Sequence, residues 1–125
     1  MTDRCPCGRG PAYDSCCGPV HRGDRDAVTA EQLMRSRYSA YAVGDGAYLL
    51  RSWASATRPA NVAIDTATAW TGLTVVEATG GAMLDTVGTV TFEAHHRTSG
   101  RDGVLRERSR FTREDGRWVY FGPDP

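Results

Sequence analysis

Hydrophobic and polar positions change their pattern twice along the chain. Residues 1–26 are rich in cysteine, glycine, proline and charge, with almost no apolar positions, so they cannot form a packed core unaided. Residues 27–70 carry apolar positions at helical spacing, and residues 71–122 carry them at every second position. The pattern therefore predicts a cysteine-rich segment over 1–26 and one domain over 27–125, with helices before strands.

Two helices are predicted from their caps. Thr29 and Gln32 have capping-box spacing, and Gly44 is placed to end the first helix. The apolar stripe of this helix consists of Leu33, Met34, Arg37, Tyr38, Tyr41 and Ala42. Asp45 can cap a second helix, which carries Tyr48, Leu49, Leu50 and Trp53. Pro59 suits the first turn of a third short helix, which the β-branched residues after it oppose.

Four strands are predicted after the helices, because apolar and polar residues alternate there. They cover residues 73–78, 86–97, 104–113 and 117–121. Gly80 and Gly81 end the first strand, residues 99–103 form a hairpin loop, and Asp115-Gly116 is a two-residue hairpin signal. Gly88, inside the longest strand, is expected to mark a bend or bulge.

Helices followed by an antiparallel meander define an α+β fold. The helices are expected to pack on one face of a curved sheet. A sheet that curls around helices in this way encloses a cone-shaped pocket, which makes the inner face of the strands the place to look for a ligand site.

Composition narrows the classes of function. The chain has 125 residues, and its 15 basic residues, all arginine, balance 15 acidic ones. A neutral chain has no global attraction to nucleic acid or to an anionic membrane, so neither partner is predicted. No apolar run could span a bilayer, and residues 1–4 lead into the cysteines without a signal-peptide core. We therefore expect a cytoplasmic, reducing setting, in which clustered cysteines indicate metal more than disulfides.

The four cysteines have a spacing that suits one metal ion. Cys5 and Cys7 can point to the same side of an extended chain, while Cys16 and Cys17 diverge by about 100° on a helical turn. Four thiolates around Zn²⁺ would form a closed structural site with no open position for a substrate. Two disulfides, a redox-active pair or an iron–sulfur centre are the alternatives, and His21 could replace one cysteine as a ligand.

The cysteine segment resembles the SEC-C motif, a zinc-binding element found at the tail of SecA and in many otherwise unrelated proteins. The Cys-Pro-Cys-Gly start, Gly10, Tyr13 and the Cys-Cys-Gly end match that motif. The lysines of the motif are absent, since Pro11, Ala12, Asp14 and Ser15 occupy that stretch. In SecA the motif is associated with binding of SecB and the ribosome, and this partner class is therefore not carried over to the chain.

The remainder of the chain resembles the YchJ family of bacterial proteins. The resemblance rests on residues 33–41 (LMRSRYSAY), Trp53, residues 70–73 (WTGL) and residues 107–111 (ERSRF), in that order. It implies a nuclear transport factor 2-like fold, a helix-backed cone-shaped sheet, in agreement with the architecture predicted above. It implies a fold and a metal, but no reaction.

Six residues are candidates for the lining of the cone. They are Arg37, Tyr38, Trp70, His96, Glu107 and Ser109. Arg37 could bind an anion at the pocket mouth, or it could pair with Glu107 or cap backbone carbonyls. His96 follows the alternation of the apolar positions on its strand, so it is either a core residue or a general base. The opposite face of the Glu107 strand is a cationic stripe, which consists of Arg106, Arg108 and Arg110.

Three functions stay open on the sequence. In the first, a zinc knuckle holds the N-terminus, and the cone binds a partner protein or a small ligand. In the second, Glu107, His96 and Arg37 perform acid–base chemistry on a small molecule. In the third, Cys16 and Cys17 sense zinc or thiol oxidation. A homodimer is compatible with any of these functions.

Overall fold

The computed structural model describes residues 4–124. Residues 1–3 and Pro125 lie outside the described residues. They are the outer ends of the predicted cysteine segment and of the predicted domain. Residues 1–3 also make up most of the stretch in which the sequence shows no signal-peptide core. A 3-10 turn and seven further elements follow in order: Tyr13–Ser15, then α1 Cys17–Arg22, α2 Ala30–Val43, α3 Gly46–Arg51, β1 Thr68–Gly80, β2 Val87–Thr98, β3 Arg101–Glu114 and β4 Arg117–Pro123. Over residues 4–124, no helix combines the length and the hydropathy that a membrane crossing requires.

Both ends of α2 carry the predicted caps. The Thr29 hydroxyl accepts a hydrogen bond from the Gln32 backbone N–H at 3.0 Å, and the Gln32 side chain accepts one from the Val28 N–H at 2.7 Å. At the other end, Gly44 adopts a left-handed conformation (φ 82°), and its N–H bonds the Ala40 carbonyl. The predicted bounds of this helix are confirmed.

Helix α2 is buried on two faces. Leu33, Met34 and Tyr38 pack on the sheet, as the predicted stripe requires. Three small residues on other faces are also fully buried, namely Ser36, Ser39 and Ala40. The predicted stripe member Ala42 is exposed instead. Small side chains let a second layer of the protein approach the helix closely, and that layer includes the cysteine segment.

The chain between α3 and the sheet contains no third helix, so the helix expected from Pro59 is wrong. Within residues 52–67 the chain forms turns and irregular structure, apart from one isolated β-bridge between Trp53 and Tyr120. Val62 and Ile64 pack against the cluster that contains Tyr48 and Leu49 of α3. These side chains are thus half-buried against this cluster, and their β-branched character suits an extended chain better than a helix.

The four strands form one antiparallel meander in the order β1-β2-β3-β4. Asp115-Gly116 is the predicted two-residue hairpin, with φ values of 52° and 80°. The β2–β3 connection is also two residues long, Ser99-Gly100 with φ values of 53° and 78°, and not the predicted loop over 99–103. Strand β1 begins five residues earlier than the alternation predicted. The α+β fold with helices on one face of the sheet is confirmed.

The bulge expected at Gly88 is wrong. The pairing of Gly88 with Gly80 and with Phe111 runs without a register shift, and the irregularities of the β1–β2 pair lie in β1, after Trp70 and after Val75. Gly88 instead allows two backbones to approach, because a Cβ there would lie 2.5 Å from the Gly81 Cα. The irregularities of the β1–β2 pair therefore lie in β1 and not at Gly88.

We expect Gly88→Ala to destabilise the fold by about 1–3 kcal/mol, since its added methyl group overlaps the Gly81 backbone. Gly72→Ala is the matched control, because Gly72 also lies in a strand but its nearest Cβ neighbour is 4.0 Å away. Its free energy of unfolding should stay within about 0.5 kcal/mol of the parent protein. Urea unfolding measures both, and equal values for the two variants would contradict the close approach.

Candidate functional site

The cysteine segment is a tight loop that brings two pairs of thiols together. The Cys5 N–H bonds the Pro11 carbonyl at 3.0 Å, and Gly8 and Gly10 take positive φ values of 83° and 107° where the chain reverses. The C-terminal pair lies at the start of α1, with Cys16 at the N-cap and Cys17 as the first helical residue. Backbone geometry thus presents the four sulfurs to one point.

The four thiols lie close enough together to bind one metal ion. Their Sγ atoms all lie within 4.8 Å of one another, and those of Cys7 and Cys16 are 3.6 Å apart. Zinc–thiolate bonds in a tetrahedron would place sulfurs about 3.8 Å apart, whereas a disulfide requires about 2.05 Å. The cysteines are free, so the disulfide alternative is wrong for this structure. The donor set can hold one thiophilic metal ion.

Electrostatics oppose an ionised cluster without a cation. Hydrogen bonds with Cys5 and Cys7 raise the pKa of Cys17, and burial raises the pKa of Cys16 to about 11. Hydrogen bonds from Cys17 and Cys7 in turn lower the pKa of Cys5. Without a cation, the thiols of Cys16 and Cys17 therefore stay protonated, while hydrogen bonds stabilise the thiolate of Cys5. A divalent cation would replace those protons.

The cysteine segment is bound to α2 by polar contacts. The Ser39 hydroxyl lies 3.4 Å from the Cys5 sulfur, and Arg35 donates to the Cys7 carbonyl at 2.8 Å. Sequence analysis missed both of these contacts. Their only signal was the helical spacing of residues 35 and 39, which puts the two on one face.

His21 does not act as a ligand. Its Nε2–H donates to the Ser36 carbonyl at 2.7 Å, which leaves Nδ1 to accept from the Tyr13 hydroxyl at 2.5 Å. Both ring nitrogens are therefore engaged, and the metal-type cluster contains cysteines alone. The buried imidazole instead joins α1 to α2.

A second candidate site is a cavity of about 310 Å³ between α2 and the inner face of the sheet. Its size is at the lower end of small-molecule pockets. Five of the six candidates contribute to the lining, which consists of Met34, Arg37, Tyr38, Tyr41, Trp53, Trp70, Phe92, Ala94, Leu105, Glu107, Ser109, Phe111 and Tyr120. The walls are mainly aromatic and aliphatic, with one cationic and one anionic side chain.

His96 is the candidate that does not line the cavity. Its ring contacts Trp70 edge-on, with centroids 5.5 Å apart, and lies against Gly103 on the next strand. A Cβ at Gly103 would fall 2.5 Å from the His96 ring, so the glycine is what allows this position. Trp70 lines the cavity and touches His96, and the structure thus places the histidine outside the aromatic lining.

Arg37 is buried in the cavity wall, 6% exposed. Its Nη1 donates to the Leu49 carbonyl at 2.8 Å and to the Ser52 hydroxyl at 2.7 Å, so it caps the end of α3. Its guanidinium carbon lies 4.7 Å from the Trp53 ring centre and 4.5 Å from that of Tyr120. Burial lowers its pKa. Sequence analysis missed Ser52, although its place just after α3 is a signal for a capping residue.

Glu107 makes its hydrogen bonds with hydroxyl groups. It accepts from Tyr120 at 3.0 Å and from the Ser109 hydroxyl two residues along the same strand face. The predicted pairing with Arg37 does not occur as a hydrogen bond, and the hydrogen bonds of Arg37 Nη1 go to the end of α3. Burial and then Glu107 raise the pKa of Tyr120, which keeps that phenol protonated as a donor.

The cationic stripe on the outer face of β3 is largely paired. Arg106 contacts Glu93 at 3.0 Å, and Arg108 and Arg110 lie 2.9 Å and 3.8 Å from Asp124. Acidic neighbours thus offset its charge, as expected for a solvated sheet surface. The absence of a nucleic-acid partner stays a prediction.

These features define a class of protein: a helix-backed antiparallel sheet around a cavity, joined to a four-cysteine segment of the metal-binding type. The family model described as "YchJ, middle NTF2-like domain" matches residues 29–123. The chain therefore belongs to the YchJ family, as its sequence motifs predicted.

Relatives with similar sequences cover nearly the whole chain. It is 52% identical to the UPF0225 protein SCO1677 of Streptomyces coelicolor, over 95% of this chain and 93% of that protein. It is 48% identical to the UPF0225 protein CE1570 of Corynebacterium efficiens, over 94% of this chain and 89% of that protein. The likeness therefore includes the cysteine segment as well as the sheet.

Two solved structures share the fold. A SEC-C motif containing protein from Rhodopseudomonas palustris, determined in solution, is similar with a TM-score of 0.83 and 33% identity, over 99% of this chain and 98% of that one. A SEC-C motif containing protein from Psychrobacter arcticus is similar with a TM-score of 0.76 and 27% identity, over 97% of this chain and 80% of that one. The SEC-C resemblance of the cysteine segment is thus supported.

Tyr48 allows a test of the contact between α2 and α3. Its buried hydroxyl lies 2.6 Å from that of Ser36, and burial raises its pKa from 10.0 to about 12. The neutral form is favoured by folding, so this stability is present below pH 10 and is lost as the pH rises towards 12. In that window, Tyr48 should lower the free energy of unfolding of the parent protein by about 1.4 kcal/mol per pH unit. We expect Tyr48→Phe to lack this contribution.

The measurement is urea unfolding of the parent protein and of Tyr48→Phe at intervals from pH 8 to pH 12. Tyr120, Tyr38 and Tyr13 also have raised pKa values, so the variant should keep part of the slope. Identical slopes for the two proteins would contradict the burial of the Tyr48 hydroxyl.

Proposed function

We propose that this protein is a zinc-stabilised binding protein that holds a small, mainly apolar molecule in the cavity between α2 and the sheet. The observation that carries the proposal is the cavity itself, about 310 Å³ of space with mainly aromatic walls inside a small domain. A core of this size normally fills its interior with side chains, since protein interiors are close-packed. A preserved cavity with a few polar groups is typical of a ligand site.

Zinc is proposed as the metal because of the donor set. Four sulfur ligands favour Zn²⁺ or an iron–sulfur centre over the hard cations, and sulfurs around one point suit a single ion. Cys7 is fully buried and Cys5 and Cys17 are nearly so, which leaves little access for a substrate. The role of the ion is therefore to hold the segment in place and not to perform chemistry.

The two sites are joined by α2. The Ser36 carbonyl and the Ser39 hydroxyl contact the cysteine segment, while Arg37, Tyr38 and Tyr41 line the cavity. Loss of the metal would free the segment and remove one of the two layers that support α2. The division into a segment over 1–26 and a domain over 27–125 stays a prediction. In this division, the contacts with α2 hold the segment against the domain.

Binding is favoured over the alternative functions. Acid–base chemistry by Glu107, His96 and Arg37 requires all three around one cavity, and His96 lies outside the lining. A thiol sensor requires an accessible sulfur, and Cys16, the least buried of the four, is the candidate for that role. A protein partner, a homodimer and a cytoplasmic location stay predictions.

Binding in the cavity is tested by blocking it. Leu105 lines the cavity and is 47% exposed, so Leu105→Trp adds bulk at the cavity without disturbing the buried core. We expect it to weaken binding of the neutral fluorophore N-phenyl-1-naphthylamine at least about tenfold. Val104→Trp is the matched control, because Val104 is 54% exposed, adjacent, and not part of the lining. Fluorescence titration measures both, and equal affinities of the two variants for the fluorophore would refute binding in this cavity.

The metal is tested by mass spectrometry of the purified protein under native conditions. We expect one zinc ion per chain, and none in Cys7→Ser, because its oxygen would replace a buried thiolate ligand. Ser15→Ala is the control, as Ser15 is an exposed neighbour of the cluster. Chelation should lower the Tm by roughly 15 °C, as expected for an ion whose free concentration is about a thousand times its Kd. A metal-free protein of unchanged Tm would sink the structural role.

A further inference from the structure

The guanidinium of Arg37 has unused donors that face the cavity. All of its hydrogen bonds to residues 4–124 leave from Nη1, so Nε and Nη2 have no acceptor in that part of the chain. Within the same residues, the one fully enclosed side-chain nitrogen or oxygen without a partner is His96 Nδ1. Nε and Nη2 therefore keep some accessible surface, and Arg37, which is 6% exposed, is one of the side chains that line the cavity.

The free edge of this guanidinium has the geometry for a carboxylate. Trp53 and Tyr120 lie against the guanidinium, and the Leu49 carbonyl and the Ser52 hydroxyl occupy Nη1. Nε–H and one N–H of Nη2 point in parallel, and together they form a two-pronged hydrogen bond with a carboxylate. Because four contacts hold the group in place, little conformational entropy is lost when an anion binds to it.

The surroundings restrict the rest of the ligand. The walls are largely aromatic, so they favour a flat, apolar body against which rings can pack. Glu107 contributes a negative charge to the same cavity, partly screened by the hydroxyls of Tyr120 and Ser109. A second anionic group on the ligand would be repelled by Glu107 or would lack a cation, because Arg37 is the only basic side chain of the cavity lining within residues 4–124.

We propose that the cavity selects small aromatic monocarboxylates, whose carboxylate is bound by Nε and Nη2 of Arg37. This inference rests on the proposed binding function and adds the charge and shape of the ligand to it. Burial of a cation beside aromatic rings, without a carboxylate hydrogen-bonded to it, is costly for the ligand-free protein. Binding of an anion relieves part of that cost, which is why a neutral ligand of the same shape should bind less tightly.

The test compares two probes of the same size on the full-length parent protein. 2-Naphthoate and 2-naphthamide have the same ring system and differ in charge at one group. We expect 2-naphthoate to bind at least about tenfold more tightly, as a charge-assisted hydrogen-bond pair requires, with calorimetry as the measurement. Equal affinities, or tighter binding of the amide, would overturn the inference.

Two variants locate the charge preference. Arg37→Lys keeps the charge but loses the two-pronged geometry, so the preference for 2-naphthoate should fall to about threefold or less. Glu107→Gln removes the opposing charge, and it should strengthen the binding of 2-naphthoate more than the binding of 2-naphthamide. A full preference in a folded Arg37→Lys protein would place the anion elsewhere. If Arg37→Lys does not fold, the result with Glu107→Gln decides, since unchanged affinity for 2-naphthoate would overturn the location.

The same experiments separate this inference from the proposed function. If N-phenyl-1-naphthylamine binds the parent protein but 2-naphthoate does not, the cavity binds apolar molecules and the selection of carboxylates is wrong. If neither the neutral fluorophore nor the naphthalene probes bind, the binding function itself fails, and the inference fails with it.

Discussion

The structure depends on α2 being buried on more than one side. A helix in a small domain usually packs one apolar stripe on the sheet and leaves the rest in water. Here Ser36, Ser39 and Ala40 have no exposed surface, because the cysteine segment and α3 cover them. The small size of these side chains permits the contact, and the polar ones bond the neighbouring layer. The position of every residue on α2, including those that line the cavity, follows from this double contact.

The burial of Arg37 is the second constraint. A cation in a small core is stable only when its donors and its charge are compensated. The end of α3 supplies two acceptors, and the rings of Trp53 and Tyr120 supply cation–π contacts. Trp53 is itself held in place by backbone pairing with β4, next to Tyr120. Arg37 thus links α2, α3 and the last strand around the cavity. Its structural role uses Nη1 of the guanidinium, and its proposed binding role uses Nε and Nη2.

Local patterns in the sequence predicted much of the molecule correctly. Thr29, Gln32 and Gly44 set the bounds of α2, because caps depend on a few neighbouring residues. Asp115-Gly116 set the last hairpin, because positive φ at both positions is a local property. Longer-range effects were missed at Pro59, where Val62 and Ile64 found burial on α3 without a helix. The same holds at Gly88, where a backbone contact, and not a bulge, requires glycine.

By itself the sequence determined the type and order of the elements, the cysteine cluster as a metal-type site and the family, because spacing and periodicity are properties of neighbouring residues. Only the tertiary structure decided which candidates share a cavity. Residues 37, 70 and 107 lie far apart in the chain and meet around one space, while His96, on the same strand face as Ala94, is separated from it by Trp70. That outcome depends on how β1 pairs with β2 and on which atoms of the buried Arg37 guanidinium are hydrogen-bonded, and both are set by contacts between distant elements.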